Sequence, residues 1–111
     1  MKDPREKEEW VLRAMKAMGN GTRFSMLKWL GDPDLYFPER DLPPQEAAFR
    51  DGVCVSDIMK KAGLALSTTS EYLEVLRKAG LIETCKCGKW TYCRRDDSAL
   101  RKLGKYIKNK L

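Results

Sequence analysis

The amino-acid sequence predicts a mainly α-helical fold completed by one small β-hairpin, an α+β domain. Three observations predict it. Apolar residues recur at helical spacing in several stretches, each closed by glycine, proline or a capping residue. Two β-prone runs flank Gly88 late in the chain. Two short helices separated by only a few residues precede that hairpin directly. The 111 residues support a single domain over 1–111, with an inserted loop at about 31–51.

In order along the chain, the first helix is expected from about Arg5 to Met18, after Pro4 near a first-turn position. Trp10, Ala14, Ala17 and Met18 form its apolar stripe, widened by Val11 and Met15. Gly19-Asn20-Gly21 ends it, and Thr22 is placed to cap a second helix over 23–30. Phe24, Met26, Leu27, Trp29 and Leu30 surround that helix, which predicts the most buried one. From Gly31 to Asp51, Pro33, Pro38, Pro43 and Pro44 interrupt any long helix. A structured loop with one helical turn around 45–49 is expected there, its aromatic residues covering the core or an interface, with lining a small-molecule pocket as the alternative.

Residues 52–55 read as a short extended segment, and Ser56 as the cap of a helix over 57–62 that stops at Gly63. Ser67 or Thr68 opens the next helix, Thr68 and Glu71 standing at capping-box offset, and Gly80 closes it. Gly63-Leu64-Ala65-Leu66 then separates the two helices of a helix-turn-helix. Residues 81–87 and 89–94 pair around Gly88, with Cys85 expected opposite Trp90. A last helix starts near Asp97 or Ser98, where Leu100, Leu103, Ile107 and Leu111 make one apolar stripe on a very basic helix. A helix-turn-helix followed by a hairpin is a winged helix.

Charge narrows the function. The net charge is +6, but residues 1–76 hold 11 basic and 13 acidic side chains, whereas residues 77–111 hold 11 basic and 3 acidic. A basic C-terminal third suits a polyanion, and nucleic acid is the commonest such partner. Histidine is absent, which removes His-based acid–base catalysis, His-dependent triads and His-containing zinc sites. With no glycine-rich phosphate loop and no nucleophile–base pair either, the chain reads as a non-enzyme. No apolar run approaches the roughly 18–20 residues of a membrane span, and the N-terminus carries alternating charge where a secretory signal needs an apolar stretch. The expectation is a cytoplasmic protein with no membrane partner.

The stretch from Gly63 to Ile82, Gly-Leu-Ala-Leu-Ser-Thr-Thr-Ser-Glu-Tyr-Leu-Glu-Val-Leu-Arg-Lys-Ala-Gly-Leu-Ile, resembles the helix-turn-helix of ArsR/SmtB-type winged-helix repressors. Met15-Lys-Ala-Met-Gly-Asn-Gly-Thr-Arg23 is similar to that family's lead into its second helix. Gly88-Lys-Trp-Thr-Tyr92 resembles its wing tip, and Cys54-Val-Ser-Asp-Ile58 sits where many members carry Cys-Val-Cys-Asp-Leu. The four pieces occur in the family's order and span nearly the whole chain outside the 31–51 loop. The resemblance implies a homodimeric transcriptional repressor, joined through its first and last helices, that releases operator DNA when an effector binds. Trp10, Ala14, Leu100, Leu103 and Ile107 are the candidate dimer interface; packing within one subunit is the alternative for the same residues.

On double-stranded DNA, Ser67, Thr68, Ser70, Glu71 and Tyr72 lie at or near the start of the recognition helix, which a major groove accommodates. Ser67 and Thr68 also have an ordinary reading as helix caps. Leu66, Glu71 and Tyr72 depart from the Gln and His residues common in the family, so the operator sequence cannot be carried over. Lys86, Lys89, Arg94 and Arg95 cluster at the hairpin and suit phosphates or a narrow minor groove. A two-fold dimer implies an inverted-repeat operator with recognition helices about 34–36 Å apart.

Cys85, Cys87 and Cys93 form a candidate thiol sensor in this basic segment, where thiolates would take As(III) or another soft metal ion, or undergo oxidation. Against it, Cys93 is liable to face away from the other two. Cys54 is a weaker candidate, since Ser56 replaces the second cysteine of the family motif and a small buried strand residue explains it. No cofactor is required. An architectural DNA-binding protein without an effector and a winged-helix protein–protein adaptor are the alternative functions.

Overall fold

A computed structural model describes residues 7–111; the expected helix start at Arg5 and the Pro4 first-turn position lie outside the described residues. Six helices and three short strands follow in the order α1 (Glu8–Met18), α2 (Gly21–Leu30), α3 (Pro33–Tyr36), β1 (Val53–Cys54), α4 (Val55–Ala62), α5 (Leu66–Lys78), β2 (Ile82–Cys87), β3 (Trp90–Arg95) and α6 (Asp97–Lys110). The winged helix-turn-helix expected from the sequence is present: α4 and α5 are the paired helices, β2 and β3 the wing.

Helix starts depart from the sequence reading. Asn20, not Thr22, caps α2, its Oδ1 accepting from the Arg23 backbone N–H at 3.0 Å. The Arg23 Nε donates to the Ala17 carbonyl at 2.7 Å, so one side chain ties the end of α1 to the start of α2. Buried residues in α2 number three, Met26, Leu27 and Leu30, while Phe24 is 56 % exposed. Helix α2 is therefore not the most buried: its apolar residues lack a helical period, and only one face meets α1, α4 and α5.

In α4 and α5 the helices begin before the expected hydroxyl caps. Cys54 and Ala65 hold the N-cap positions with no side-chain cap hydrogen bond, so Ser56 and Ser67 lie already inside the first turns. The Thr68–Glu71 capping box does not form. Thr69 instead turns inward, fully buried, its hydroxyl donating to the Ala65 carbonyl at 3.0 Å. Gly63 stops α4 at φ 68 and Gly80 follows α5 at φ 73, both in the left-handed region that glycine alone enters without strain.

The inserted segment holds its one helix at α3, capped by Asp32, rather than around 45–49. There a single bond from Ala47 N–H to the Pro44 carbonyl closes a turn that does not propagate, and Phe49 is drawn against the sheet. Phe37 joins the main core; Leu35 and Leu42 remain exposed.

The sheet has the order β1-β3-β2, antiparallel throughout. A two-residue loop, Gly88-Lys89, pairs Cys87 with Trp90 and Cys85 with Tyr92, which corrects the expected Cys85–Trp90 pairing. With Gly88 at φ 62, glycine occupies the first central position, as a II′ hairpin requires. One face of the sheet joins the core of Met26, Ile58, Leu76 and Leu81, all fully buried; Phe49, Cys54 and Tyr92 form a smaller cluster on the other.

The longest tie in the core is a hydrogen bond from the Trp10 indole Nε1 to the Ala79 carbonyl at 2.7 Å, both buried. Replacing Trp10 with Phe keeps most of the apolar contact and strands that carbonyl, an expected loss of about 1–3 kcal/mol in a urea titration. Leu76→Ala should cost about 2–5 kcal/mol in the same assay, because the methyl groups removed leave a cavity the fold cannot close.

Candidate nucleic-acid interface

Helix α5 presents the candidate recognition side chains because its inner face is pinned. Thr69, Leu73 and Leu76 are buried, which leaves Ser67, Ser70 and Glu71 exposed on the outside. Thr68 is half-buried. Tyr72 is half-buried against the core, with the Arg23 guanidinium 5.3 Å from its ring centroid. Of the five helix candidates, four thus stand at the surface or near it, while the Tyr72 ring already carries one of the protein's own cations.

The four basic candidates divide sharply. Lys86 and Lys89 are exposed on the wing, the Lys89 ammonium 5.5 Å from the Trp90 ring centroid. Arg94 and Arg95 are engaged internally. Arg94 stacks 4.4 Å from the Phe49 centroid and forms ion pairs with Glu83 at 3.4 Å and Asp51 at 3.5 Å. Partial burial works to lower the pKa of its guanidinium, but Glu83 and Asp51 together raise it. Arg95 donates to Asp97 at 2.7 Å and to the Leu27 carbonyl at 3.2 Å. Its guanidinium lies over Gly31, where an added Cβ would come within 2.0 Å of Nη1. Sequence reasoning counted all four charges as available because the partners Glu83, Asp51 and the Leu27 carbonyl are brought to the arginines only by the fold.

Trp90, 48 % exposed at the wing tip, and Arg77, which pairs with Glu74 on α5, were not singled out by the sequence. A hydrogen bond from Arg77 holds the Glu74 carboxyl below its usual range. Both positions line a cleft of about 450 Å³ between α5 and the wing, together with Leu66, Ser70 and Lys89. Ser70 and Lys89, one from each DNA-facing element, therefore border the same opening.

The three wing cysteines do not converge. Register puts Cys85, Tyr92 and Cys54 in one row across the three strands, with Cys87 on the same side. Cys93, paired with Thr84 and Val53, faces the opposite side. Burial above all, helped by Cys54 and Cys85, pushes its pKa up to about 12, so it stays a neutral thiol. Among the described residues no three His, Cys, Asp or Glu side chains are grouped to hold a metal ion, and a Cys85–Cys87–Cys93 site does not fit this geometry.

The candidate dimer residues also divide. Trp10, Ala14 and Leu103 are buried within the subunit, and Leu100 packs half-buried against the core. Ile107 alone of the five is exposed, at 41 %, and Leu12 on α1 and Leu111 after α6 are exposed with it. The apolar stripes of the terminal helices first serve their own subunit; what remains outside is a narrower strip.

A pinned helix with a polar outer face, set beside a hairpin with a basic tip, defines a winged-helix DNA-binding transcriptional regulator. The model of the bacterial regulatory proteins of the arsR family matches residues 51–84, from just before β1 into β2. The chain is 38 % identical over 102 residues to the uncharacterized HTH-type transcriptional regulator YbzH of Bacillus subtilis (strain 168), covering 90 % of this chain and 97 % of that one. It belongs to the arsR family. Among solved structures, the homodimeric winged helix-turn-helix DNA-binding domain Mb0332 of Mycobacterium bovis is similar at TM-score 0.64 and 24 % identity, covering 89 % of this chain and 76 % of that one. An ArsR-like transcriptional regulator from Rhodococcus sp. RHA1 is similar at TM-score 0.64 and 16 % identity, covering 90 % and 77 %. At these identities the likeness is one of fold. None of the described helices is long and apolar enough to cross a membrane.

The cysteine geometry makes a direct expectation. Iodoacetamide at pH 8 should label Cys85 and Cys87 in the native protein and leave Cys93 untouched until urea unfolds it. Equal rates at all three would contradict the placement of Cys93. The raised pKa of Cys93 favours the folded state fully below the unfolded thiol value of about 8.5. That contribution is lost as pH rises from there toward 12.

Proposed function

We propose that the protein is a cytoplasmic, homodimeric repressor that binds an inverted-repeat operator in double-stranded DNA and leaves it when an effector binds. The observation that carries the reading is the shared opening bordered by Ser70 of α5 and Lys89 of the wing, with Ser67, Glu71 and Lys86 exposed on the same two elements. Short hydroxyl side chains at a helix start reach base edges and phosphates, and Glu71 can accept from a cytosine amino group. Lys86 and Lys89 supply the phosphate contacts that set affinity without setting sequence. For the dimer, the exposed Leu12 and Ile107 on the terminal helices support self-association, as does the homodimeric state of the Mycobacterium bovis relative in fold.

Selection from randomised duplexes at about 150 mM salt tests the reading, since purely electrostatic binding is weak there. A palindrome should be enriched; no enriched sequence would favour an architectural protein or an adaptor. Lys86→Ala and Lys89→Ala should each flatten the dependence of log affinity on log salt by about one unit. Arg94→Ala should leave that slope unchanged and lower the unfolding midpoint, because its charge is used inside the molecule. Sedimentation should give twice the chain mass at micromolar concentration, and Leu12→Glu should reduce it to one.

A further inference from the structure

Helix α6 is the most basic helix of the chain, and the contacts that build the fold leave its charge unused. After Asp97 it holds no acidic residue, and Arg101, Lys105, Lys108 and Lys110 are all exposed. Among the described residues none of these four has an ion-pair partner. The two acids at its start are engaged: Asp96 caps the helix through the Ala99 N–H, and Asp97 pairs with Arg95. Arg101, Lys105 and Lys108 stand at offsets of 4 and 3, so they form one strip on the side opposite the buried Ala99 and Leu103. A helix whose cations serve only solubility intersperses them with acids, as α1 does with Glu8, Glu9, Arg13 and Lys16. On α6 the neighbours at 101 and 105, and at 105 and 108, carry like charge, an arrangement that destabilises an isolated helix. The helix dipole accounts for Lys108 and Lys110 in the last turn and does not account for Arg101 or Lys105.

We infer that this strip is a second contact surface for duplex DNA, binding the phosphate backbone of a segment other than the one that α5 addresses. The choice of partner rests on the proposed DNA-binding function. The strip runs about 10.5 Å along the helix. A DNA strand presents one phosphate per roughly 3.4 Å of axis, so three cations meet about three phosphates. A bilayer fits less well, because a helix lying on a membrane buries its apolar face among the lipids. The apolar face of α6 is already spent on the core, through Ala99 and Leu103. The strip and the recognition side chains sit on helices joined through α1, which packs against both, so they address different stretches of duplex. One stretch is read for sequence and the other is held by charge alone.

Binding of the full chain to a random-sequence duplex across a salt series tests the strip. Replacing Arg101, Lys105 and Lys108 together with Gln, which keeps helix propensity, should lower the slope of log affinity against log salt by about two to three units. Binding at low salt should weaken about tenfold or more. Circular dichroism and sedimentation establish whether this variant keeps its fold and mass; if it does not, Lys105→Gln with Lys108→Gln takes its place. Arg13→Gln, Lys16→Gln and Lys28→Gln combined remove the same charge from α1 and α2 and should change the slope by less than about one unit. Equal losses in the two triple variants, or none in the first, would overturn the strip. In the second arm, a bead-tethered duplex loaded with wild type should capture a second, labelled duplex, and the α6 variant should not. No capture by wild type, or capture by both, would overturn the two-segment arrangement. Vesicles containing phosphatidylserine that bind wild type but not the α6 variant, with the DNA slope unchanged, would assign the strip to a bilayer instead. If the α6 variant loses slope while Lys86→Ala and Lys89→Ala change nothing, the wing reading fails and the strip stands.

Discussion

The hydrogen bond from Trp10 to the Ala79 carbonyl fixes the point on which the reading head depends. The last carbonyls of a helix have no partner within it, and at the end of α5 one of them is buried. An indole N–H from α1 satisfies it from 69 residues away. Gly80 then turns the chain at φ 73 into the wing. The orientation of the recognition helix and the departure of the hairpin are thus set at one spot, and α1 is tied to both. Because the inner face of α5 is held there by Leu73 and Leu76, the short polar residues at its other end point outward without a side-chain cap of their own.

Charge on the surface of this protein is not equivalent to charge available for DNA. The basic C-terminal third would suggest a wing dense with phosphate contacts, yet two of its arginines act as internal staples. Arg94 fastens Phe49 and Asp51 of the inserted segment to the sheet. Arg95 reaches the Leu27 carbonyl in the last turn of α2 and fills the space that Gly31 leaves open. Both residues are counted as surface cations only while their neighbours are unknown. Lys86 and Lys89, at the hairpin tip, remain exposed.

The element order was legible in the sequence because its signals are local. Glycines at 63, 80 and 88 take the positive φ values that end two helices and turn a hairpin, and the apolar period of α1 and α6 marks buried stripes. Helix starts were less legible, since hydroxyls at 22, 56 and 67 are equally good caps on paper and tertiary contacts chose the preceding residues. Register was the other failure. The turn falls one position later than expected and shifts each pairing by two residues, which leaves every cysteine on its expected face: Cys93 lies on the core face, away from Cys85 and Cys87, as the sequence reading allowed. The candidate site was legible at the level of elements and incomplete at the level of partners, which are fixed by residues such as Glu83 and Asp51 that carry no signal of their own.

The inserted segment has a consequence for how this chain can change over generations. It is held at one end by Phe37 in the core, in the middle by the fully buried Pro43, and at the other end by Phe49 and Asp51 against the sheet. Length can be gained or lost between Pro43 and Phe49, where residues 45, 46 and 48 are exposed, without disturbing the anchors, since loop closure costs only about 0.6 kcal/mol per doubling. Variation in such a stretch would alter the outline of the molecule and its encounters with other proteins while the DNA-reading half keeps its shape.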